Sequence, residues 1–450
     1  MQHVTIVGAG LAGTLLSLYL ARRGYQVDVF ESRPDLRHTD LGVGRSINLA
    51  LSCRGARALN EIGLMGAVEK IMVPMRARAI HEKNRPVHYQ AFGRHQEEYI
   101  NAIMRSQLNA LLLDQTAHYP EITIRFDTKL QSVDFNRKEL VFQLEDNSVQ
   151  LVPYQRLIAA DGAVSAVRGA LQKAGHLDYS RKLLPHGYKE LSISRKHDRG
   201  CIREHLHLWP RDSFMLLGNP NCDDSITGSL FMANKGINSF ETLHSERKVT
   251  DFFKRAFPDI YPAIPNLAGE FFTNPTGNLG TVSCSSWHYR DNCLLIGDAA
   301  HGIVPFFGQG MNSAFEDCFV LDQLLDKYDE QWQLVMPAFE EARKPNTNAI
   351  AQMSMDNYSE IQSGICDIKF NLKKQLEHVL MRQYPDTYIS KHVLVMFSNT
   401  PYAKAQSCGK LQQDLLDSIT ENVADIEEVD WQKTDGLMKQ YDKKMTHLMG

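Results

Sequence analysis

The first thirty residues alternate between strand-like and helix-like patterns. HVTIV at 3–7 is apolar and rich in β-branched residues, and the glycine turn GAGLAG follows at 8–13. A helical pattern then runs to Arg23, and a second strand, VDVF, ends at Glu31. This order of strand, glycine turn, helix, strand and acid predicts a dinucleotide-binding unit of the Rossmann type.

The glycine turn predicts a phosphate site at the start of the first helix. Gly8 permits the tight turn, Gly10 lets the backbone approach a pyrophosphate, and Gly13 allows the helix to pack closely on the strand. Glu31 is placed to accept a hydrogen bond from an adenosine ribose, and its charge disfavours a 2′-phosphate. FAD or NAD therefore fits this site better than NADP.

Later segments repeat the theme of a buried strand that delivers an acid to a turn. LIAADG at 157–162 precedes a helical pattern, so Asp161 either meets a ligand or caps that helix, and the pattern leaves both alternatives open. CLLIGDAAH at 293–301 delivers Gly297 and Asp298 in the same way. Between them, residues 183–285 alternate aromatic and β-branched with polar positions, which predicts a second sheet.

Composition narrows the class of protein. A chain of 450 residues with 43% hydrophobic and 23% charged residues is globular and large enough for two or more core-forming units. The formal charge of -4, without long basic clusters, argues against a nucleic-acid partner. No apolar run reaches the ~18–20 residues of a membrane span, and the eight cysteines form no CxxC pair. We expect a cytoplasmic protein with no transmembrane anchor and no metal site.

Three motifs stand in an order that is typical of one family. GAGLAG, LIAADGAVSAVRG and LLIGDAAHGIVPFFGQGMNSAFED follow one another as in the single-component FAD-dependent aromatic hydroxylases, which the chain resembles over residues 1–330. The resemblance implies FAD as the cofactor, NADPH as the transient reductant and O2 as co-substrate. It further implies hydroxylation through a flavin C4a-hydroperoxide, so that the cofactor carries the chemistry and no catalytic side chain is required.

The resemblance also implies an architecture. We expect an α/β fold in which a Rossmann-type FAD-binding domain is interleaved with a β-sheet substrate domain and followed by C-terminal helices. The expected FAD-binding domain comprises 1–70, 100–180 and 285–330, the substrate domain 71–99 and 181–284, and the C-terminal helical region 331–450.

Further segments resemble those family members whose substrate is an aromatic amino acid, among them GRSINLALSCRG, VPMRARAIH, HGYKELSI, MDNYSEI and FSNTPYA. They imply that Arg78 binds the substrate carboxylate in a charge-assisted contact, with Asn357 and Tyr402 at the same amino-acid head. Pro305 and Phe306 would form an apolar wall of the substrate pocket. Beyond Gly8, Gly10, Gly13 and Glu31, the implied cofactor contacts are Arg45, Ala50, Arg105, Leu130, Asp161, Gly297, Asp298, Gly310, Met311 and Asn312.

Two positions depart from the family pattern. The family places a substrate-binding tyrosine 14 residues after the arginine, where this chain has Phe92, and it commonly has arginine where this chain has Gln362. The missing hydroxyl would weaken carboxylate binding by about 1.5–3 kcal/mol unless water or Tyr99 substitutes for it. Two alternatives therefore stay open: an FAD hydroxylase of another aromatic amino or carboxylic acid, and a flavin-binding protein whose catalysis has decayed.

Overall fold

The computed structural model describes residues 2–38, 48–194, 203–363 and 368–449. Its strands are β1 (His3–Val7), β2 (Gln26–Phe30), β3 (Asn48–Leu51), β4 (Met72–Met75), β5 (Ala77–Ile80), β6 (His88–Ala91), β7 (Ile100–Met104), β8 (Ile122–Arg125), β9 (Lys129–Asp134), β10 (Glu139–Gln143), β11 (Val149–Pro153), β12 (Arg156–Ala159), β13 (Tyr179–Ser194), β14 (His205–Arg211), β15 (Phe214–Pro220), β16 (Ser225–Ala233), β17 (Gly277–Cys284), β18 (His288–Tyr289) and β19 (Cys293–Leu295).

The α-helices alternate with these strands and then continue to the end of the described chain. They are α1 (Leu11–Arg22), α2 (Cys53–Glu61), α3 (Met65–Val68), α4 (Arg105–Thr116), α5 (Ala166–Lys173), α6 (Glu246–Ala256), α7 (Leu267–Thr273), α8 (Asp298–His301), α9 (Gly310–Lys327), α10 (Trp332–Ser363), α11 (Ile368–Gln383), α12 (Lys391–Phe397), α13 (Tyr402–Ile419) and α14 (Trp431–Met449).

A six-stranded sheet carries the predicted dinucleotide fold. Its order is β18-β19-β12-β1-β2-β8, and β1 pairs in parallel with both β2 and β12. β12 in turn pairs in parallel with β19. Because the carboxyl ends of parallel strands share one edge, the turns that follow β1, β12 and β19 lie side by side. These are the three turns that the motifs single out, and the Rossmann prediction is confirmed.

A seven-stranded sheet confirms the prediction of a second β-rich unit. Its order is β17-β13-β16-β15-β14-β5-β6, and it is antiparallel except between β5 and β14. Helices α6 and α7 cover it over a core of buried aromatic and aliphatic residues that includes Trp209 and Phe253. A separate three-stranded sheet has the order β3-β7-β4, and its strands lie between β2 and β8 in the chain. The exact domain division proposed from the sequence stays a prediction.

The C-terminal helices α10 to α14 form a third layer with its own core. Ile350, Leu376, Val395 and Leu416 are buried in it together with Phe307 from the motif segment. This shared core places the C-terminal helices against the turn that precedes α9. Within the described ranges, no helix combines the length and the apolar character that crossing a bilayer would require.

Candidate active site

A cavity of about 1550 Å³ opens where the three layers meet. Its wall includes the glycine turn, the segment from Ile303 to Met311, strands β5 and β6, and helices α11 and α12. Many of the site residues predicted from the sequence line it: Gly10, Ala50, Arg78, Phe92, Arg105, Asp298, Pro305, Phe306, Gly310, Met311 and Asn357.

The glycine turn after β1 is closed on its protein side and open on its cavity side. Gly8 has a φ of +105°, and a Cβ there would lie 2.5 Å from the oxygen of Ala160. A Cβ on Gly13 would lie 1.9 Å from the oxygen of Gly8, whereas a Cβ on Gly10 would meet nothing within 4 Å. The following helix α1 has no side-chain cap and no acid in its first turn. An uncapped helix start beside an open glycine fits a pyrophosphate.

Glu31 directly follows β2, and both oxygens of its buried carboxylate accept hydrogen bonds. Its Oε2 accepts from the Ala9 amide at 2.9 Å, and its Oε1 accepts from the amide and Nε of Arg33 at 3.0 and 2.8 Å. Burial alone would raise the pKa of this carboxyl, but the Arg33 guanidinium and the amides lower it. Glu31 therefore stays ionised beside the glycine turn, as the predicted ribose contact requires.

Asp161 satisfies one of its two predicted alternatives and leaves the other open. Its Oδ2 accepts from the amides of Ala166 and Val167 at 2.7 and 3.2 Å, so it caps the start of α5 together with Ser165. Its Oδ1 is buried and has no hydrogen-bond partner among the described residues. Burial raises the pKa of this carboxyl. An unpaired buried acceptor at this turn is what a ligand hydroxyl or N–H would satisfy.

Arg168 is a buried residue that connects two parts of the site, and the sequence did not single it out. It is buried in α5 and donates to the carbonyl oxygens of Ala163 and Ala299, both at 2.8 Å. Ala163 lies in the turn after β12, and Ala299 lies in α8, two residues after Gly297. One guanidinium thus connects the turn after β12 to the helix that follows the Gly297 turn.

Gly297 and the helix α8 depend on a buried acid, Asp317 in α9. Asp317 is fully buried, and its Oδ2 accepts from the Gly297 amide at 2.9 Å and from His301 Nε2 at 2.5 Å. Its Oδ1 accepts from Arg343 Nε at 2.7 Å. His301 lies in α8 and is buried, so Asp317 holds both ends of this short helix.

Asn312 holds the backbone at the cavity wall. Its Nδ2 donates to the oxygens of Ala50 and Gly308 at 2.7 and 2.9 Å, and its Oδ1 accepts from the Ser52 amide at 2.9 Å. Both polar atoms of its side chain are therefore bonded within the protein. α9 begins at Gly310 without a side-chain cap or an acid in its first turn, which leaves its positive end for an electronegative group.

Other cofactor predictions lie away from the cavity or outside the described residues. Leu130 is buried in β9 and is not among the described residues that line the cavity. Asn48, by contrast, lines the cavity: it opens β3, is buried, and donates to Asn221 Oδ1 at 2.6 Å. Arg45 and the side chain of Gln362 lie outside the described residues.

Arg78 lines the cavity and has no acidic partner among the residues that the structure describes. Its guanidinium carbon lies 4.7 Å from the centre of the Phe92 ring. Nη1 lies 3.4 Å from Gln90 Oε1, and Nη2 lies 3.3 Å from His392 Nε2. Among the described residues, no carboxylate lies within 4 Å of this guanidinium. Burial lowers the pKa of Arg78 to about 10, so at neutral pH it is a cation in want of a counter-ion.

The other two predicted substrate contacts differ from each other. Asn357 in α10 lines the cavity and donates to the Phe306 carbonyl at 3.4 Å. Tyr402 is fully buried, is not among the described residues that line the cavity, and donates to Gln309 Oε1 at 2.7 Å. The Arg54 guanidinium lies 3.9 Å from the centre of its ring.

Comparison with known proteins can now be set beside this geometry. A sequence profile of the FAD binding domain family matches residues 1–352. Kynurenine 3-monooxygenase of Legionella pneumophila (strain Corby) is 61% identical over 449 residues, with both chains covered completely. The chain belongs to the kynurenine 3-monooxygenase family. A more distant relative of the same name, from Myxococcus xanthus (strain DK1622), is 40% identical and covers 97% of this chain and 94% of its own.

Solved structures agree on the fold. The tetrameric form of 2-methyl-3-hydroxypyridine-5-carboxylic acid oxygenase superposes with a TM-score of 0.67 at 20% identity, covering 81% of this chain and 94% of that one. This likeness confirms the α/β fold class, and the profile match and the relatives confirm the resemblance to FAD-dependent aromatic hydroxylases. As a member of the kynurenine 3-monooxygenase family, the chain is an FAD-dependent monooxygenase.

Proposed function

We propose that this protein hydroxylates L-kynurenine on the ring carbon beside the aniline nitrogen, giving 3-hydroxykynurenine. FAD is the bound cofactor, NADPH the transient reductant and O2 the co-substrate. The observation that carries the choice of substrate is Arg78, a half-buried cation in the cavity wall without a carboxylate partner among the described residues. An amino acid with an aromatic ring supplies the missing carboxylate and an apolar body together. The names of the relatives at 61% and 40% identity support the same substrate.

The glycine turn and the two uncapped helix starts are proposed to hold FAD. Gly10 and α1 would receive the pyrophosphate, Glu31 the adenosine ribose, and Asp298 the ribityl chain. The start of α9 at Gly310 and Met311 would lie at the electronegative side of the flavin ring. When bound, FAD would accept electrons from the nicotinamide and activate O2, the two functions that aromatic hydroxylation needs.

The protein's own part is to orient the substrate and to exclude water. Phe306 packs against Phe231 and Tyr358 with ring centres 5.5 and 5.0 Å apart, and Pro305 precedes it in the cavity wall. These side chains offer no donor that would hold water at the reacting ring except the Tyr358 hydroxyl, which lies 2.7 Å from His186 Nδ1. A dry wall on one side and Arg78 on the other would fix both ends of the substrate.

Substrate-stimulated NADPH oxidation with product analysis tests this proposal. The FAD-loaded protein should consume NADPH faster with L-kynurenine and release 3-hydroxykynurenine. Arg78→Ala should raise the KM for kynurenine by a large factor at unchanged FAD content. Arg76→Ala is the matched control, because Arg76 is two residues away, half exposed and paired with Glu204. Failure of kynurenine to stimulate the wild type, with stimulation by another aromatic acid, would overturn the choice of substrate.

A further inference from the structure

The carboxylate end of the cavity lacks the tyrosine hydroxyl that the family places there. Phe92 occupies that position, and its ring lies beneath the Arg78 guanidinium. Tyr99, the other candidate source of a hydroxyl, is not among the described residues that line the cavity, and its ring lies 5.1 Å from the guanidinium carbon of Arg76 instead. Arg78 therefore needs another group to hold it in one orientation.

His392 in α12 is that group by position. Its Nε2 lies 3.3 Å from Nη2 of Arg78, although the two residues are 314 positions apart in the chain. The imidazole also lines the cavity. At the other terminal nitrogen of the guanidinium, Gln90 Oε1 accepts from Nη1, and the Gln90 amide nitrogen lies 2.9 Å from His378 Nε2. Arg78 is thus held between two neutral acceptors.

The surroundings of His392 keep it in the form that can accept. Its ring stacks against Phe92 and Phe307, with ring centres 6.3 and 5.8 Å apart and interplanar angles of 18° and 26°. An arginine N–H can donate only to an unprotonated ring nitrogen. Burial lowers the pKa of His392 well below its ordinary value, and so do four basic neighbours: Arg78 from β5, Lys374 and His378 from α11, and Lys391 from its own helix.

We propose that His392 is a positioning residue for the substrate carboxylate, which takes over the work of the missing hydroxyl at position 92. By accepting from Nη2 it fixes the guanidinium plane over Phe92 and leaves the other N–H groups of Arg78 to the carboxylate. This inference rests on the proposed function, because it requires that the ligand of Arg78 is the carboxylate of an amino acid. No motif marks His392, since its partner is brought to it only by folding.

The test compares two ligands that differ in the carboxylate alone. L-kynurenine and its decarboxylated analogue kynuramine are titrated into the FAD-loaded protein, with flavin fluorescence as the readout, and the KM and kcat for kynurenine are measured in parallel. His392→Phe keeps the stacked ring and removes the acceptor, whereas His392→Gln places an amide oxygen near the position of Nε2. His176→Phe is the matched control, because His176 also stacks on an aromatic ring, that of Tyr289, with ring centres 3.8 Å apart.

A positioning role predicts a specific pattern. His392→Phe should weaken kynurenine binding roughly tenfold, as expected for one lost hydrogen bond to a charged group, and should raise KM without lowering kcat. Kynuramine binding should not change, His392→Gln should recover most of the loss, and His176→Phe should behave as the wild type. Equal losses for both ligands, or no loss for kynurenine, would overturn the inference while leaving the wild-type activity intact. A wild type that does not bind kynurenine at all would instead overturn the proposed function and the inference with it.

Discussion

Replacing Asp317 by asparagine removes the charge at the centre of the buried cluster under Gly297. The carboxylate has no solvent exposure and accepts three hydrogen bonds, from Gly297, His301 and Arg343. A carboxamide keeps one acceptor oxygen but presents a donor where the other oxygen stood. Arg343 or His301 must therefore lose its bond to Asp317, and of the two carboxylates that Arg343 binds in its buried position, Glu316 alone keeps its charge.

The size of the effect follows from that burial. Breaking a buried ion pair by removing one charge costs about 3–5 kcal/mol, and the retained oxygen places Asp317→Asn near the lower end. Asp326→Asn is the matched control in the same helix, because Asp326 pairs with Arg23 but its side chain is 66% exposed. A surface pair of that kind contributes about 0–1 kcal/mol.

Urea unfolding and retained FAD together measure the outcome. With a slope of about 3 kcal/mol per molar, the midpoint of Asp317→Asn should fall by roughly 1 M, and the purified protein should carry less FAD because Gly297 loses its anchor.

The pH dependence gives a second check. Burial raises the pKa of Asp317, but His301 and Arg343 outweigh it and hold the pKa below its ordinary value. Its stabilisation is therefore present above the unfolded pKa of about 3.9 and is lost as pH falls through the lower folded value. The gap between wild type and variant should close in acid. A variant that retains FAD fully and unfolds together with Asp326→Asn would refute this account of the cluster.

Three further substitutions address other parts of the site. Gly10→Val should abolish FAD retention, because the valine side chain would fill the open space that we propose for the pyrophosphate; a fully loaded yellow variant would refute that role. Phe92→Tyr should change the Kd for kynurenine little in a fluorescence titration, because His392 already holds Arg78 in place without the hydroxyl; a large gain in affinity would contradict that compensation. Burial raises the pKa of Glu190 to about 7. The free energy of unfolding therefore falls as the pH rises from the unfolded pKa of about 4.3 to the folded value of about 7. Glu190→Gln should therefore stabilise the protein against urea by up to about 3 kcal/mol at pH 8 and not at pH 4; an equal effect at both would contradict this.

The sequence predicted those parts of the structure that are encoded locally. The strand, glycine turn and helix from His3 to Arg22 follow from β-branched residues, glycine spacing and helical periodicity within one short segment. The turns at Asp161 and Gly297 were found for the same reason, because each strand and its turn are contiguous. The parallel pairing of β1, β12 and β19 then brings them together without further specification.

The missed features depend on partners that are distant in the chain. Asn48 opens a four-residue strand whose partner β7 lies more than 50 residues later, so its own segment shows no pattern of alternation. Arg168 reaches Ala299 across 131 positions, and His392 reaches Arg78 across 314. A single polar residue shows no periodicity in the sequence, so its hydrogen-bond partner is known only once the fold is known.

Tyr402 in α13 shows how the C-terminal helices are connected to the turn at Gly297. Arg54 lies over its ring, and the same guanidinium donates to Glu316 Oε1 at 2.7 Å. Glu316 and its neighbour Asp317 both bind Arg343, at 2.5 and 2.7 Å, and Asp317 holds Gly297. Since each of these groups is largely or wholly buried, their interactions are weakly screened and depend on one another. The C-terminal layer therefore supports the turn at Gly297, and a change at Tyr402 should lower the amount of FAD that the purified protein retains.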